Sequence, residues 1–310
     1  VGAVLVPKLL AAGCRVRVLD LYLYGEEALE GVRGQSGLEE IRGDIRDRDL
    51  VSRAAAGADA VIHLACISND PSFELDPALG RSINYDAFAP LVEGAKRGGA
   101  GRFVYASSSS VYGVKEEPEV TEDLPLEPLT DYSRYKAMCE EVLLDAAGGG
   151  FAATVVRPAT VCGYSPRLRL DLTVNILTHQ AVCEGRIRVF GGAQTRPNLH
   201  IEDMTDLYII LLRQPAGRID RKVYNVGYEN YTVREIAERV DRALGGGIPI
   251  VTTDTADRRS YRVCSERIRR ELGFAARHSV EEAVLGLRDA FGAGRIPDPI
   301  RDRYYNIRTM

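Results

Sequence analysis

Apolar runs alternate with amphipathic stretches through the first half of the chain. Residues 58–65 (ADAVIHLA) are almost wholly apolar, as a strand buried on both faces must be. Residues 15–20 (RVRVLD), 102–106 (RFVYA) and 151–158 (FAATVVRP) read as three more strands, the last ended by Pro158. Helical spacing separates them, over residues 3–12, 48–56, 77–97 and 131–147. Strand–helix alternation of this kind predicts a parallel sheet with helices on both faces, doubly wound by right-handed crossovers.

The second half is less regular. A helix is expected over 172–183, a strand at 186–191 and a helix opened by acidic residues at 200–212. A strand at 222–227 comes next, then a helix with Thr232 as its N-cap and a last helix ended by glycine. No repeat or linker interrupts the pattern. The expected organisation is a nucleotide-binding domain over 1–160, with a returning segment at about 198–228, and a smaller α/β substrate domain over 161–197 and 229–310. The ligand cleft should lie between them.

Composition narrows the class. The chain has 310 residues, a net charge of −4 and no basic tract, so no nucleic-acid partner is expected. No apolar run reaches the roughly 18 residues that a bilayer span needs. There is no signal-peptide pattern, and a cytoplasmic location is expected. The 6 cysteines and 4 histidines are scattered without zinc or redox spacing, so no metal is expected and the thiols read as buried and reduced.

Two patterns carry chemistry. Gly2 opens a helix, and Asp20 ends the next strand 18 residues later. That spacing fits the last glycine of a dinucleotide phosphate loop and the carboxylate that binds the adenosine ribose. The first strand and the first two glycines would then precede Val1. A carboxylate at Asp20 repels a 2′-phosphate, which favours NAD over NADP. The second pattern is Tyr132 with Lys136, one turn apart at the start of a helix, some 24 residues after the serine run SSSSVYG. A neighbouring ammonium lowers a phenol pKa, which would suit Tyr132 for acid–base work.

Taken in order, Gly2 with Asp20, GDIRD, VIHLACIS, SSSSVYG, YSRYK and VVRPATVCG make the chain similar to the extended short-chain dehydrogenase/reductases, in particular NAD-dependent sugar-nucleotide epimerases and dehydratases. The resemblance covers nearly the whole chain. It implies a Rossmann-like fold, NAD as cofactor, a nucleotide-sugar substrate and a homodimer formed through the helices at 77–97 and 131–147. Residue by residue it implies Tyr132 as acid/base, Lys136 on the nicotinamide ribose and Ser108 as the assisting hydroxyl. Asp44 and Ile45 would meet the adenine, and Leu64, Ala65 and Cys66 would line the dinucleotide. Asn84 would be a structural and active-site asparagine, and Arg157 and Pro158 would approach the nicotinamide. Ser109, Asn175, Arg196 and Arg259 would meet the substrate, the two arginines gripping its diphosphate. Arg258 or Arg262 could stand in for either arginine.

The resemblance leaves the reaction open. Dehydratases of this family carry acidic residues where this chain has Ser109 and Ser110, and a serine is no acid at neutral pH. Epimerisation at C4 through a transient 4-keto sugar is therefore the leading expectation. Another NAD-dependent reaction on a nucleotide sugar (reduction, dehydration or decarboxylation) comes second, and a non-catalytic nucleotide-binding protein third.

Overall fold

The computed structural model describes residues 1–68, 70–255 and 260–309. The chain begins with α1 (Gly2–Ala11), β1 (Val16–Asp20), β2 (Leu38–Arg42), α2 (Arg48–Ala55) and β3 (Ala60–His63). Next come α3 (Asp70–Leu75), α4 (Pro77–Arg81), α5 (Phe88–Arg97), β4 (Arg102–Ala106), α6 (Asp131–Ala146) and β5 (Ala152–Pro158). The middle holds β6 (Thr160–Cys162), α7 (Thr173–His179), β7 (Ile187–Phe190), β8 (Thr195–His200), α8 (Ile201–Arg213), α9 (Ala216–Ile219) and β9 (Lys222–Val226). The last part holds β10 (Glu229–Thr232), α10 (Val233–Ala243), β11 (Ile250–Thr253), α11 (Glu266–Leu272), α12 (Val280–Gly292) and α13 (Asn306–Thr309).

The α/β architecture follows the expected alternation. β3, β4, β5 and β9 form one parallel sheet in that order, and β1 pairs in parallel with β2. No strand among the described residues joins the two pieces, and both β1 and β3 line one large cleft. β5 is buried at every position but its last, which explains its largely apolar sequence; Thr154 and Arg157 are buried with hydrogen-bond partners. On one face α1 and α8 pack through Leu5, Leu9, Leu207 and Leu211; on the other, α2, α5 and α6 pack through Val51, Leu91, Val92 and Leu143.

The second lobe has two small sheets, β6–β8–β10 and β7–β11, covered by α7, α10 and α12. Thr232 caps α10 as its position suggested, in a reciprocal pair with Glu235, and Ser279 does the same for α12 with Glu282. The chain returns to the first lobe through α8 and β9.

Some expectations need correction. The helix expected over 77–97 is three pieces, because residues Ser82–Asp86 form a π turn between α4 and α5. A second π turn, Gln180–Glu184, follows α7. The strands β2, β6, β8, β10 and β11 were not anticipated, being short or rich in polar residues. Of the cysteines, Cys139 and Cys162 are buried, Cys66 and Cys264 are half-buried, and Cys14 and Cys183 are exposed. No helix among the described residues is long and apolar enough to cross a membrane.

The core under β3 and β4 contains a histidine. His63 stacks on Tyr105 at 5.8 Å and lies 5.5 Å from Phe88. Burial, with the Lys136 charge adding to it, pushes the imidazole down to about 3 from its ordinary 6.5. The folded protein thus binds this proton more weakly than the unfolded chain. His63 contributes full stability above pH 6.5 and loses it as the pH falls toward 3. In the wild type this costs about 1.5 kcal/mol between pH 6.5 and 5. Urea unfolding at a series of pH values should show that slope in the wild type and a flatter one in His63→Leu. Parallel slopes would show that the imidazole does not titrate on unfolding.

Candidate active site

A cleft of about 1870 Å³ runs along the whole length of β1 and β3 and reaches the carboxyl ends of β4 and β5. Gly2, Asp20, Asp44, Ile45, Leu64, Ala65, Cys66, Ser108, Ser109, Tyr132, Lys136, Pro158, Asn175 and Arg196 all line it. The fold thus gathers nearly every residue singled out from the sequence. Asn84 and Arg157 do not line it, and Arg259 lies outside the described residues, as does Arg258.

The serine run leaves β4 and turns at once. Ser108 is extended and caps a short helical turn, Ser109–Tyr112, by accepting from the Ser110 N–H at 3.1 Å. The Ser110 hydroxyl donates to Ser108 Oγ at 2.9 Å and accepts from Ser133 at 2.9 Å. Ser109 is buried, with its Oγ 3.3 Å from the Tyr261 hydroxyl. Gly113 ends the turn at φ 73°, where an added Cβ would lie 2.1 Å from the Glu127 carbonyl oxygen, so only glycine fits.

The helix α6 starts at Thr130, whose hydroxyl accepts from Ser133 N at 3.3 Å and donates to Asp70. Tyr132, Lys136 and Glu140 follow at four-residue intervals along one face. Ser108 lies close enough to the Tyr132 phenol to favour its ionised form. Burial pushes the phenol well above the usual tyrosine range, with Cys66 and Asp70 adding to the rise; Arg169 and Ser108 oppose it. Lys136 Nζ donates to the Ala106 carbonyl at 2.7 Å and lies 5.9 Å from the Tyr132 ring centroid. The guanidinium that favours the phenolate belongs to Arg169, on the other lobe. The sequence alone points only to Lys136 for that role.

Glu140 was not among the expected residues. It is 3% exposed, and its carboxylate takes three hydrogen bonds from Arg157 at 2.6–3.1 Å and a further one from the Ser107 hydroxyl. Arg157 also donates to the Tyr112 hydroxyl at 2.7 Å, which in turn donates to Asn225 at 2.8 Å. Arg157 is therefore held inside the protein by Glu140 and does not reach for a ligand. The signal for Glu140 was present in the sequence as a third member of the four-residue series.

Asn84 sits in the π turn and binds both backbone groups of Ile67, accepting at 2.8 Å and donating at 2.9 Å. It shapes the loop after β3 from beneath. Asn175 Oδ1 accepts from Gly163 N at 3.0 Å and Nδ2 donates to Arg169 O at 2.8 Å, so its amide is engaged by loop backbone. Asp20 is exposed at the end of β1, with Oδ1 accepting from Tyr22 N at 2.7 Å. Arg46 grips the Asp44 carboxylate at 2.5 Å and holds it below the usual range. Arg196, on β8, donates to its neighbour's carbonyl at 3.1 Å.

Residues 1–227 match the model of the NAD dependent epimerase/dehydratase family. The chain belongs to that family. It is 32% identical to a dTDP-glucose 4,6-dehydratase of Streptomyces griseus, over 84% of this chain and 80% of the relative. It is 27% identical to a UDP-glucose 4-epimerase of Azospirillum brasilense, over 79% of this chain and 76% of that one. The crystal structure of a dTDP-glucose 4,6-dehydratase from Streptomyces venezuelae superposes with a TM-score of 0.86 at 24% identity, covering 97% of this chain and 96% of that one.

The residues present fit a dinucleotide. Gly2 opens α1 without a side-chain cap, and beyond its chain neighbours and its own helix backbone no described atom lies within 4 Å of the place where its Cβ would be. The amides at the start of a helix suit a phosphate. Asp20, Leu64–Cys66, Ser108 and Lys136 line the same cleft.

If Glu140 fixes the serine turn, its removal strands a buried guanidinium. Glu140→Ala should lower stability by about 3–5 kcal/mol in urea unfolding. Glu140→Met with Arg157→Met should recover most of that loss, because no unpaired charge remains. A loss under 1 kcal/mol in the single variant would show that the pair is not holding this part of the fold.

Proposed function

We propose that this protein epimerises a nucleotide-activated sugar, at C4, through a transient 4-keto intermediate. The observation that carries the reading is the joint placement of Ser108, Tyr132 and Lys136 on one cleft with hydroxyls, not carboxylates, at positions 109 and 110. Tyr132 accepts the proton of the C4 hydroxyl as a phenolate, a form that the positive charges of Arg169, Lys136 and bound NAD favour against the burial that raises its pKa, and Ser108 holds that oxygen against it. Lys136 orients the ribose beside the reacting carbon. NAD, when bound, supplies the reversible hydride acceptor, so no redox change accumulates over a turnover. Returning the proton from Tyr132 completes the cycle. Arg196 and Arg259 are proposed to hold the diphosphate.

A second reading has its own support. Asp70 is buried close enough to Tyr132 to act on its charge. It is a carboxylate that dehydration of the sugar would need, and relatives of both kinds exist at similar identity.

Incubation with UDP-, GDP-, dTDP- and CDP-sugars, followed by NMR, separates the two. A new C4 epimer without net NADH supports epimerisation; a 4-keto-6-deoxy product refutes the argument from Ser109 and Ser110. Tyr132→Phe should lower kcat by about 10²-fold or more while nucleotide affinity stays near wild type. Near-normal turnover in that variant would remove Tyr132 from the mechanism.

We also infer a homodimer through the face formed by residues 77–97 and α6. Tyr85 and Tyr135 stack there at 5.4 Å, half-buried, with Phe73 5.8 Å from Tyr135. Light scattering should give twice the mass of the chain, and Tyr135→Glu should halve it. A monomeric wild type would overturn this assignment.

A further inference from the structure

The loop RLRLD between β6 and α7 has a regular pattern of burial. Leu168 and Leu170 are 2% and 0% exposed and pack with Leu287, Tyr304 and Tyr305. Their neighbours Arg167, Arg169 and Asp171 consequently face the cleft. Arg167 stacks on Tyr24 at 3.6 Å and donates to Asn306 at 2.6 Å, so it is occupied.

Arg169 is different. Its Nε donates to Asp171 at 2.9 Å and its Nη1 to the Ser68 hydroxyl at 3.2 Å. Both partners are themselves fixed by Asn306, which donates from its backbone to Asp171 at 2.9 Å and from its amide to Ser68 Oγ at 2.8 Å. Asn306 is 2% exposed. The third nitrogen, Nη2, is buried and has no acceptor among the described residues. A guanidinium gripped on two sides with one donor unmatched is costly unless a ligand supplies an oxygen.

We propose that Arg169 is a substrate-contacting residue whose Nη2 donates to a pyranose oxygen bordering the carbon that Tyr132 serves. This rests on the nucleotide-sugar reading above and adds a residue to it. Three features support the assignment. Arg169 lines the cleft with Tyr132 and Ser108. Its charge acts on the Tyr132 phenol, opposing Cys66 and Asp70, and also on Val1 and Tyr24, so it lies between the reacting hydroxyl and the start of α1. Asp171 already balances its charge, which favours a neutral hydroxyl or carbonyl oxygen over a second anion. The sugar is thereby held from both lobes, by Tyr132 on α6 and by Arg169 on the loop before α7.

Calorimetry tests it. The full chain loaded with NAD, and the variants Arg169→Met and Arg169→Lys, are titrated with UDP-, dTDP-, GDP- and CDP-glucose and with the four parent nucleoside diphosphates. For the nucleotide the wild type prefers, Arg169→Met should bind the sugar conjugate about tenfold or more weakly and the diphosphate unchanged. Arg169→Lys should fall between, because a lysine cannot hold Asp171 and Ser68 while reaching the sugar. Equal affinity of wild type and Arg169→Met for the sugar conjugate would overturn the proposal. So would an equal loss for conjugate and diphosphate, which would make Arg169 a phosphate ligand or a structural residue. A wild type that binds none of the conjugates better than its diphosphate would instead count against the nucleotide-sugar reading itself.

Discussion

The arrangement of the cleft depends on one buried ion pair. Glu140 and Arg157 meet at 2.6 Å with their side chains 3% and 7% exposed. Glu140 lies on the same face of α6 as Tyr132 and Lys136, and Arg157 lies near the end of β5. The pair therefore fixes the helix against the sheet at the level where β4 turns into the serine run. Ser107 adds a bond to the same carboxylate, and Lys136 adds one to Ala106. Two adjacent residues at the end of β4 are thus tied to two side chains of α6. Ser108, the next residue, has little freedom to move away from Tyr132.

An ion pair is an expensive way to join a helix to a sheet. Desolvating both charges offsets much of their attraction, and apolar side chains of similar size would hold the fold as well or better. What an apolar contact lacks is direction. The guanidinium has five donors in a fixed plane; here it meets both carboxylate oxygens and the Tyr112 hydroxyl at once. Tyr112 passes the constraint to Asn225 on β9, which donates to the Val120 carbonyl. A rotation of α6 by part of a turn would break several of these bonds together. In a site where one hydroxyl must stay beside another, that selectivity matters more than net stability.

Much of this was legible in the sequence. The strands β4 and β5, mostly buried, and β3, half-buried along the cleft instead of covered on both faces, announced themselves as apolar runs, and the spacing of Tyr132 from Lys136 placed both on one helical face. Other parts were hidden for identifiable reasons. β2 reads LEEIR and pairs on one side only, so its exposed edge carries charge and the apolar signal is weak. The π turn at Ser82–Asp86 leaves helical periodicity nearly intact while turning Asn84 inward onto Ile67. The family resemblance puts Arg157 with Pro158 near the nicotinamide; nothing local shows that Glu140 claims it first. Arg169 resembled any polar loop residue, although the alternation of leucine and charge in RLRLD was a clue to which side it faces.

Arg169 and Asn306 also show why the two lobes have to be considered together. Ser68 belongs to the loop after β3, Asp171 to the loop before α7, and Asn306 opens α13, yet all three meet around one guanidinium. Sequence separations of 101 and 238 residues close at that point. The entropy of closing such long loops is recovered elsewhere, through Leu168, Leu170, Tyr304 and Tyr305 packing behind the cleft. The apolar residues of RLRLD thus anchor the loop, and its charged residues, turned the opposite way, complete the site. One short stretch performs both tasks because its side chains alternate between core and cleft.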